Sequence, residues 1–365
     1  MNCLPAKAAA IVVAIGREGR SILMEIAVLG IDLGKTTCSV AGLDEGGGVV
    51  LRKRIQRHRL LAFLSGLSPC IVAMEACGGA HYVGHFCVEQ GHEPRLMSPL
   101  YVRPYVKVHK TDDRDAEAIA EAATRPTMSF VTLKAPEQLD LQAIHRARER
   151  LVQNRTRLVN QARGFLMERG IRIGAGRHVF QRELTRLLEE DDVSLMPGMV
   201  RILSDMAAEL AEINDRVAGL DAEIRAHARP DADMQRLMEI PGVGPTIATA
   251  LVAAIGDGSS FNRARDLSAW LGLVPRQITT GGKARLIGIS KHGNSYLRKL
   301  FIHGARTVLH LVRDRSTPLA QWVDALKERA HANVAGVAMA NKLARIAWAV
   351  LTKGERYRPS ALETA

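Results

Sequence analysis

Cysteine is scarce in this sequence and never closely paired. Five are spread over 365 residues, at Cys3, Cys38, Cys70, Cys77 and Cys87, with no C-x-x-C. An odd, dispersed set argues against a disulfide framework and fits a reducing cytoplasm. Cys77, His81, His85 and Cys87 are neighbours in sequence, but their spacing matches no zinc pattern. Long apolar runs are missing too. None approaches the roughly 18 residues that span a bilayer, so no membrane partner is expected. Residues 8–15 are apolar, but the stretch is short and Lys7 is the only basic residue before it, which argues against a secretory signal. Met24 opens a segment, MEIAVLGIDLG, that reads as a strand. Residues 1–23 are therefore expected to be a poorly ordered, non-essential leader from an upstream start.

Positive charge is what the chain has in excess. Fifty Lys and Arg face 38 acidic residues, a formal charge of +12 and an isoelectric point near 9.8. That balance suits a polyanion, although a generally basic surface would give the same numbers. Hydrophobic residues make up 47%, enough for real cores, and the length exceeds one ordinary domain.

The pattern changes along the chain. Residues 26–31, 36–43, 49–55, 70–74 and 95–97 read as strands, with helices over 60–67 and 82–90. This predicts a mixed sheet with helices on its faces over residues 24–133. From residue 134 to 230 the pattern is helical. Ile144, Leu151, Leu158 and Phe165 recur every seven residues, with arginines between them. Leu203, Met206, Leu210, Ile213, Val217, Leu220 and Ile224 form an a/d seam, as in a coiled coil. The seam predicts that these helices pack on each other as an antiparallel hairpin and that they also pair subunits. Residues 231–357 read as a third, all-α region, followed by a tail over 358–365.

Two acidic residues end apolar strands: Asp32 in GIDLGK and Glu75 in VAMEA. Such residues are costly at a strand end unless something pairs with them. Asp112 and Asp115 open a helix that continues over 117–123, and their i, i+3 spacing puts both on one face, whereas Asp113 points elsewhere. Four carboxylates suit two hard cations, Mg2+ or Mn2+, of the kind that drives phosphoryl transfer. Each acid alone has a plainer reading: Asp112 as a cap, Asp115 as an answer to the helix dipole. GIDLGKTT is one glycine short of a phosphate loop, because Leu29 stands where that glycine belongs. The stretch is also similar to the phosphate hairpin of actin-like ATPases and sugar kinases, but no second such hairpin follows.

In the third region, Gly242 and Gly244 in PGVGP precede an apolar helix. This suits a helix-hairpin-helix whose backbone N–H groups meet a phosphate, or an ordinary tight turn. Arg276, Lys283, Arg285, Lys291, His292, Arg298 and Lys299 crowd a glycine-rich segment. Most of these, with Lys110, are candidate nucleic-acid contacts.

The order GIDLGK, AMEACG, KTDDRDAEAIA, then IPGVGPTIATALVAAIGD, LGLVPRQ and TTGGKARLIGISKHGNSYLRKL resembles the DEDD transposases of the insertion sequence 110 and 1111 groups, from residue 24 to about 357. The resemblance implies a RuvC-like domain with the RNase H fold, a coiled coil and a helix-hairpin-helix transposase domain. It implies recombination of element DNA with target DNA, with Asp32, Glu75, Asp112 and Asp115 as metal ligands and a structured guide RNA as partner. It further implies a homodimer pairing into a homotetramer, in the bacterial cytoplasm near the nucleoid. The family's attacking serine corresponds here to Thr280. A threonine can attack when activated, but its methyl restricts approach, and Ser290 and Ser295 are nearby alternatives. The competing functions are a metal-dependent junction endonuclease working by water attack and a non-enzymatic nucleic-acid-binding remnant.

Overall fold

Apolar residues in the first third of the chain alternate between two covered faces, so their strands are buried on both sides. The computed structural model describes residues 10–15, 21–106, 112–189, 195–311 and 318–358. It comprises two compact units, 1–134 and 135–365.

In the first unit, β1 (Ala10–Ile15) and β2 (Ser21–Ile26) pair as an antiparallel hairpin. This hairpin takes in the described part of the expected leader and runs on to Ile26. Six further strands form one sheet: β3 (Val28–Asp32), β4 (Thr37–Leu43), β5 (Val49–Gln56), β6 (Ile71–Glu75), β7 (Glu93–Met97) and β8 (Phe130–Val131). Their order is β5-β4-β3-β6-β7-β8. The β3–β6–β7 pairs are parallel and the rest antiparallel, a mixed sheet.

One face of this sheet carries Leu29, Ile31, Val72, Met74 and Leu96. It is covered by α1 (Leu60–Ser65) and α2 (Ala80–Glu89) through Leu60, Leu64, Val83 and Cys87. The opposite face carries Val28, Ala73 and Met97 beneath α3 (Pro99–Val102) and α4 (Asp112–Ala123). Alanine-rich α4 is a strong helix former. Asp112, Asp113 and Asp115 in its first turn answer the helix dipole. The helix begins at Asp112, with Asp112 and Asp115 in its first turn.

The second unit opens with α5 (Pro136–Met167), α6 (Arg177–Glu189) and α7 (Pro197–Ala228). Proline at the first turn pre-sets the start of α5 and of α7. Leu158, Val159 and Leu166 late in α5 pack with Leu203, Met206 and Leu210 early in α7. Leu151, earlier in α5, meets Ile213 and Val217, later in α7, so the helices run antiparallel. Arg148 and Asp221 form an ion pair between them. The seam read from the sequence is thus buried, at least in part, between α5 and α7 of one chain.

The remaining elements are α8 (Ala232–Met238), α9 (Pro245–Ile255), α10 (Ala264–Trp270), β9 (Pro275–Thr280), β10 (Lys283–Ile289), α11 (Ser295–Leu311), α12 (Pro318–Arg329) and α13 (Ala332–Lys353). The expectation of an all-α region needs correcting, because β9 and β10 pair as an antiparallel hairpin. Long and apolar α13 could span a bilayer by length and composition alone. Here it is the core helix of the cluster, burying Met339, Ala340, Leu343, Ala344 and Ala347.

His145 of α5 is 3% exposed and joins three helices. Thr249 of α9 donates to the Pro245 carbonyl, so it accepts from His145 Nε2 at 3.0 Å. His145 Nδ1 then accepts from the Tyr296 hydroxyl at 3.0 Å. Burial, aided by Arg148 and Arg146, pushes the imidazole down from 6.5 to about 4. Its contribution is whole above pH 6.5 and is lost as pH falls from there towards 4, since the unfolded chain takes the proton first. The loss is about 3 kcal/mol by pH 4. Chemical denaturation at pH 7.5 and pH 5 is expected to show about 2 kcal/mol of this loss in the wild type and a smaller drop in His145→Gln.

Candidate functional site

The register of β3 and β6 pairs Ile31 with Met74. Asp32 and Glu75 are the next residue on each strand, so they end neighbouring strands on the same face. Gly30 and Ala73 precede them on that face, under α4. A Cβ on Gly30 would lie 2.2 Å from the Ala116 carbonyl oxygen and 2.6 Å from the Ala120 nitrogen. The missing side chain lets α4 rest directly on the β3 backbone. This brings the first turn of α4 to Asp32.

Asp32, Asp112 and Asp115 each offer a carboxylate oxygen, and the three oxygens lie within 4.8 Å of one another. Oxygens opposite each other around Mg2+ are about 4.2 Å apart, so this group needs little adjustment to hold a hard divalent ion. Glu75, at the adjoining strand end, stands outside that tight group. Gly30→Val is expected to lift α4 off β3, lowering stability by about 1–3 kcal/mol. It should also weaken divalent binding, which thermal melts with and without Mn2+ would detect.

Neighbouring acids hold α4 in place. Asp113 accepts from Ser39 Oγ at 3.2 Å and from Arg54 Nε at 3.0 Å. Its hydrogen bond to Arg54 holds this carboxyl below the ordinary range. Glu117 pairs with Arg52. These contacts tie the helix to β4 and β5 and turn Asp113 away from the Asp32 group.

His81 and His85 serve the backbone. His81 Nδ1 accepts from the Lys134 N–H at 3.3 Å, and His85 Nε2 lies 2.8 Å from the Lys134 carbonyl. Burial pushes the Cys70 and Cys87 thiols up to about 12, so both stay protonated and are poor ligands. Among the described residues, the Asp32 set is the one grouping that could hold a metal.

In the second unit, the β9–β10 register places Thr280 opposite Lys283, Ile278 opposite Arg285 and Arg276 opposite Ile287. Strand alternation puts Arg276, Thr280, Lys283 and Arg285 on one face of the hairpin. These residues are exposed. Gly281 and Gly282 have φ of +56° and +75°, the two left-handed residues that a type I′ hairpin turn demands. Lys291 is also exposed, just beyond the hairpin.

The other four candidates lie outside the hairpin. Arg298 Nη1 donates to the Leu271 and His292 carbonyls, each at 2.9 Å, so its guanidinium braces the loop. Gly242 has φ +82°, and a Cβ there would meet the Gly304 carbonyl at 2.6 Å. It serves the packing of the turn on α11. Gly244, which starts α9, is exposed with open space around its Cα, so the N-terminus of α9 keeps the room an anion needs. Lys110 lies outside the described residues.

Arg57, just after β5, escaped sequence reasoning. Its Nη1 donates to the Gly34 carbonyl at 2.7 Å and its Nη2 to the Gly78 carbonyl at 3.3 Å. Nothing in the local sequence separates it from Arg52, Arg54 and Arg59 nearby.

A family model described as "Transposase IS116/IS110/IS902 family" matches residues 234–319. A DEDD IS110 model described as "Transposase" matches residues 29–169. The chain is 42% identical to a "Transposase for insertion sequence element IS1111A" of Coxiella burnetii over 349 residues, covering 96% of each chain. It is also 42% identical to a "Transposase for insertion sequence element IS1328" of Yersinia enterocolitica over 329 residues, covering 90% of this chain and 98% of the relative. With its acidic group set at the sheet edge and relatives matched along nearly their whole length, the chain belongs to the IS110/IS1111 family of insertion-sequence transposases and is a DNA-processing enzyme.

Proposed function

We propose that this transposase cuts and rejoins DNA by divalent-metal phosphoryl transfer at the sheet edge of a RuvC-like domain, with Thr280 as the attacking group. The observation that carries the reading is the meeting of Asp32, Asp112 and Asp115 within 4.8 Å, although Asp32 lies 80 residues from the nearer of the other two in the chain. Hard oxygen donors of this kind fit Mg2+ or Mn2+, and Glu75 adds a fourth carboxylate beside them. When bound, such ions neutralise charge on the reacting phosphate and its leaving oxygen.

The protein's own groups do the rest. Arg276, Lys283 and Arg285 flank Thr280 and fix a phosphate near its hydroxyl. Thr280 Oγ attacks phosphorus: the Oγ–P bond forms as a P–O bond to one deoxyribose breaks. The threonine proton leaves to solvent, and the freed sugar oxygen takes one up. Attack by the hydroxyl of a second strand reverses these changes, rejoins DNA and restores Thr280. The exposed N-terminus of α9 at Gly244 is a second place where the phosphate backbone is gripped.

Sequence choice by a structured guide RNA, and a dimer that assembles into a tetramer, complete the reading on the strength of the family likeness. RNA that copurifies with the protein should be sequenced, and recombination of circular element DNA assayed with and without it. Products that need both this RNA and a divalent ion are expected. Full activity after nuclease treatment would remove the guide, and full activity in EDTA would remove the metal.

A further inference from the structure

We propose that Arg57 is a positioning residue for the carboxylate edge: its guanidinium ties together the two turns that follow Asp32 and Glu75 and so holds the strand ends ready for a divalent ion. The proposal rests on the metal-centre reading above.

The two turns are built alike. After β3, the Gly34 N–H donates back to the Asp32 carbonyl at 3.2 Å; after β6, the Cys77 N–H donates back to the Glu75 carbonyl at 2.8 Å. Each turn leads to a glycine whose carbonyl accepts from Arg57, at 2.7 Å for Gly34 and 3.3 Å for Gly78. The Arg57 backbone N–H adds a bond to the Thr36 carbonyl at 2.8 Å. One residue from outside both turns is therefore bonded to both.

The space around the guanidinium is shaped for it. Gly79 has φ +91°, and a Cβ there would lie 2.2 Å from Arg57 Nη2. Any side chain at 79 would collide with the bridge.

Two roles for Arg57 make opposite predictions. As a mere countercharge it repels an incoming cation, and removing it tightens metal binding. As a bridge it pre-sets the ligand geometry, and removing it weakens metal binding. A planar fork can serve two carbonyls at once, which a lysine ammonium at the end of a flexible stem does far less well. Arg57→Lys therefore keeps the charge and loses the bridge.

The test is Mn2+ binding by the full-length protein without DNA, read by electron paramagnetic resonance, with circular dichroism to check folding. Arg57→Lys and Arg57→Ala are expected to bind Mn2+ about tenfold more weakly than wild type, in the range typical of residues that orient metal ligands. Gly79→Ala leaves Arg57 intact but obstructs its guanidinium, and should behave like them; it carries the test if Arg57→Ala does not fold. Unchanged or tighter Mn2+ binding in folded Arg57→Lys overturns the bridge. A wild type with no Mn2+ site sensitive to Asp32→Asn overturns the metal centre itself, a result distinct from failure of the bridge alone.

Discussion

Asp32→Asn protein is expected to bind element DNA as the wild type does and to cut it about a thousandfold more slowly. Asparagine keeps the size of the side chain but not its charge. The fit of α4 over Gly30, set by the backbone contacts at Ala116 and Ala120, is untouched. Carboxylate-held metal contributes several kcal/mol to phosphoryl transfer, and about 4 kcal/mol corresponds to that loss in rate. DNA binding should survive because the proposed phosphate contacts, Arg276, Lys283 and Arg285, belong to the second unit. Asp113→Asn is the matched control. It removes the same charge from the same helical turn, but Asp113 is engaged with Arg54 and Ser39. Its activity should stay within about threefold of wild type, as befits an exposed ion pair. Gel shifts and single-turnover cleavage on labelled DNA separate these outcomes. If Asp32→Asn cuts at the wild-type rate, the carboxylate group is structural and the chemistry lies elsewhere.

The contrast between Asp32 and Arg57 shows which parts of this site are legible in a sequence. Asp32 and Glu75 could be found because an acid closing an apolar strand is a local anomaly, and local anomalies survive in one dimension. That Asp112 and Asp115 join Asp32 while Asp113 does not follows from helical spacing, also a local property. Arg57 has no such mark. Its role depends on two carbonyls, at Gly34 and Gly78, that are 23 and 21 residues away in opposite directions. Only the folded sheet brings them together. The bonds of Arg298 are equally hidden in the sequence: its Nη1 reaches the carbonyls of Leu271 and His292, 27 and 6 residues away.

Larger elements divide similarly. Five strands of the sheet and the antiparallel α5–α7 pair follow from hydrophobic period, which burial enforces directly, whereas two-residue β8 is too short to show one. The β9–β10 hairpin stays hidden within a region that reads as all-α because its strands are exposed on almost every residue. With little buried, there is no apolar period to read, and the Gly281-Gly282 pair is the one local sign of a two-residue hairpin turn.

That hairpin carries the second large effect. Thr280→Ala is expected to abolish any covalent protein–DNA adduct and to reduce strand transfer by on the order of a thousandfold or more, as loss of a nucleophile does. The register argues for Thr280 over its neighbour. Thr280 shares a face with Arg276, Lys283 and Arg285, whereas Thr279 sits on the other face and accepts from Gln277 at 3.0 Å. Thr279→Ala should therefore leave the adduct in place. Thr280→Ser keeps the hydroxyl and drops the methyl that restricts in-line approach, so it should retain or exceed wild-type activity. Denaturing gels of radiolabelled DNA after a detergent quench read the adduct directly. Loss of the adduct with cleavage intact would mean that water attacks at the carboxylate edge, the chemistry of a junction endonuclease. An adduct that persists in Thr280→Ala would move the nucleophile to Ser290 or Ser295, beyond the hairpin face where the cations gather.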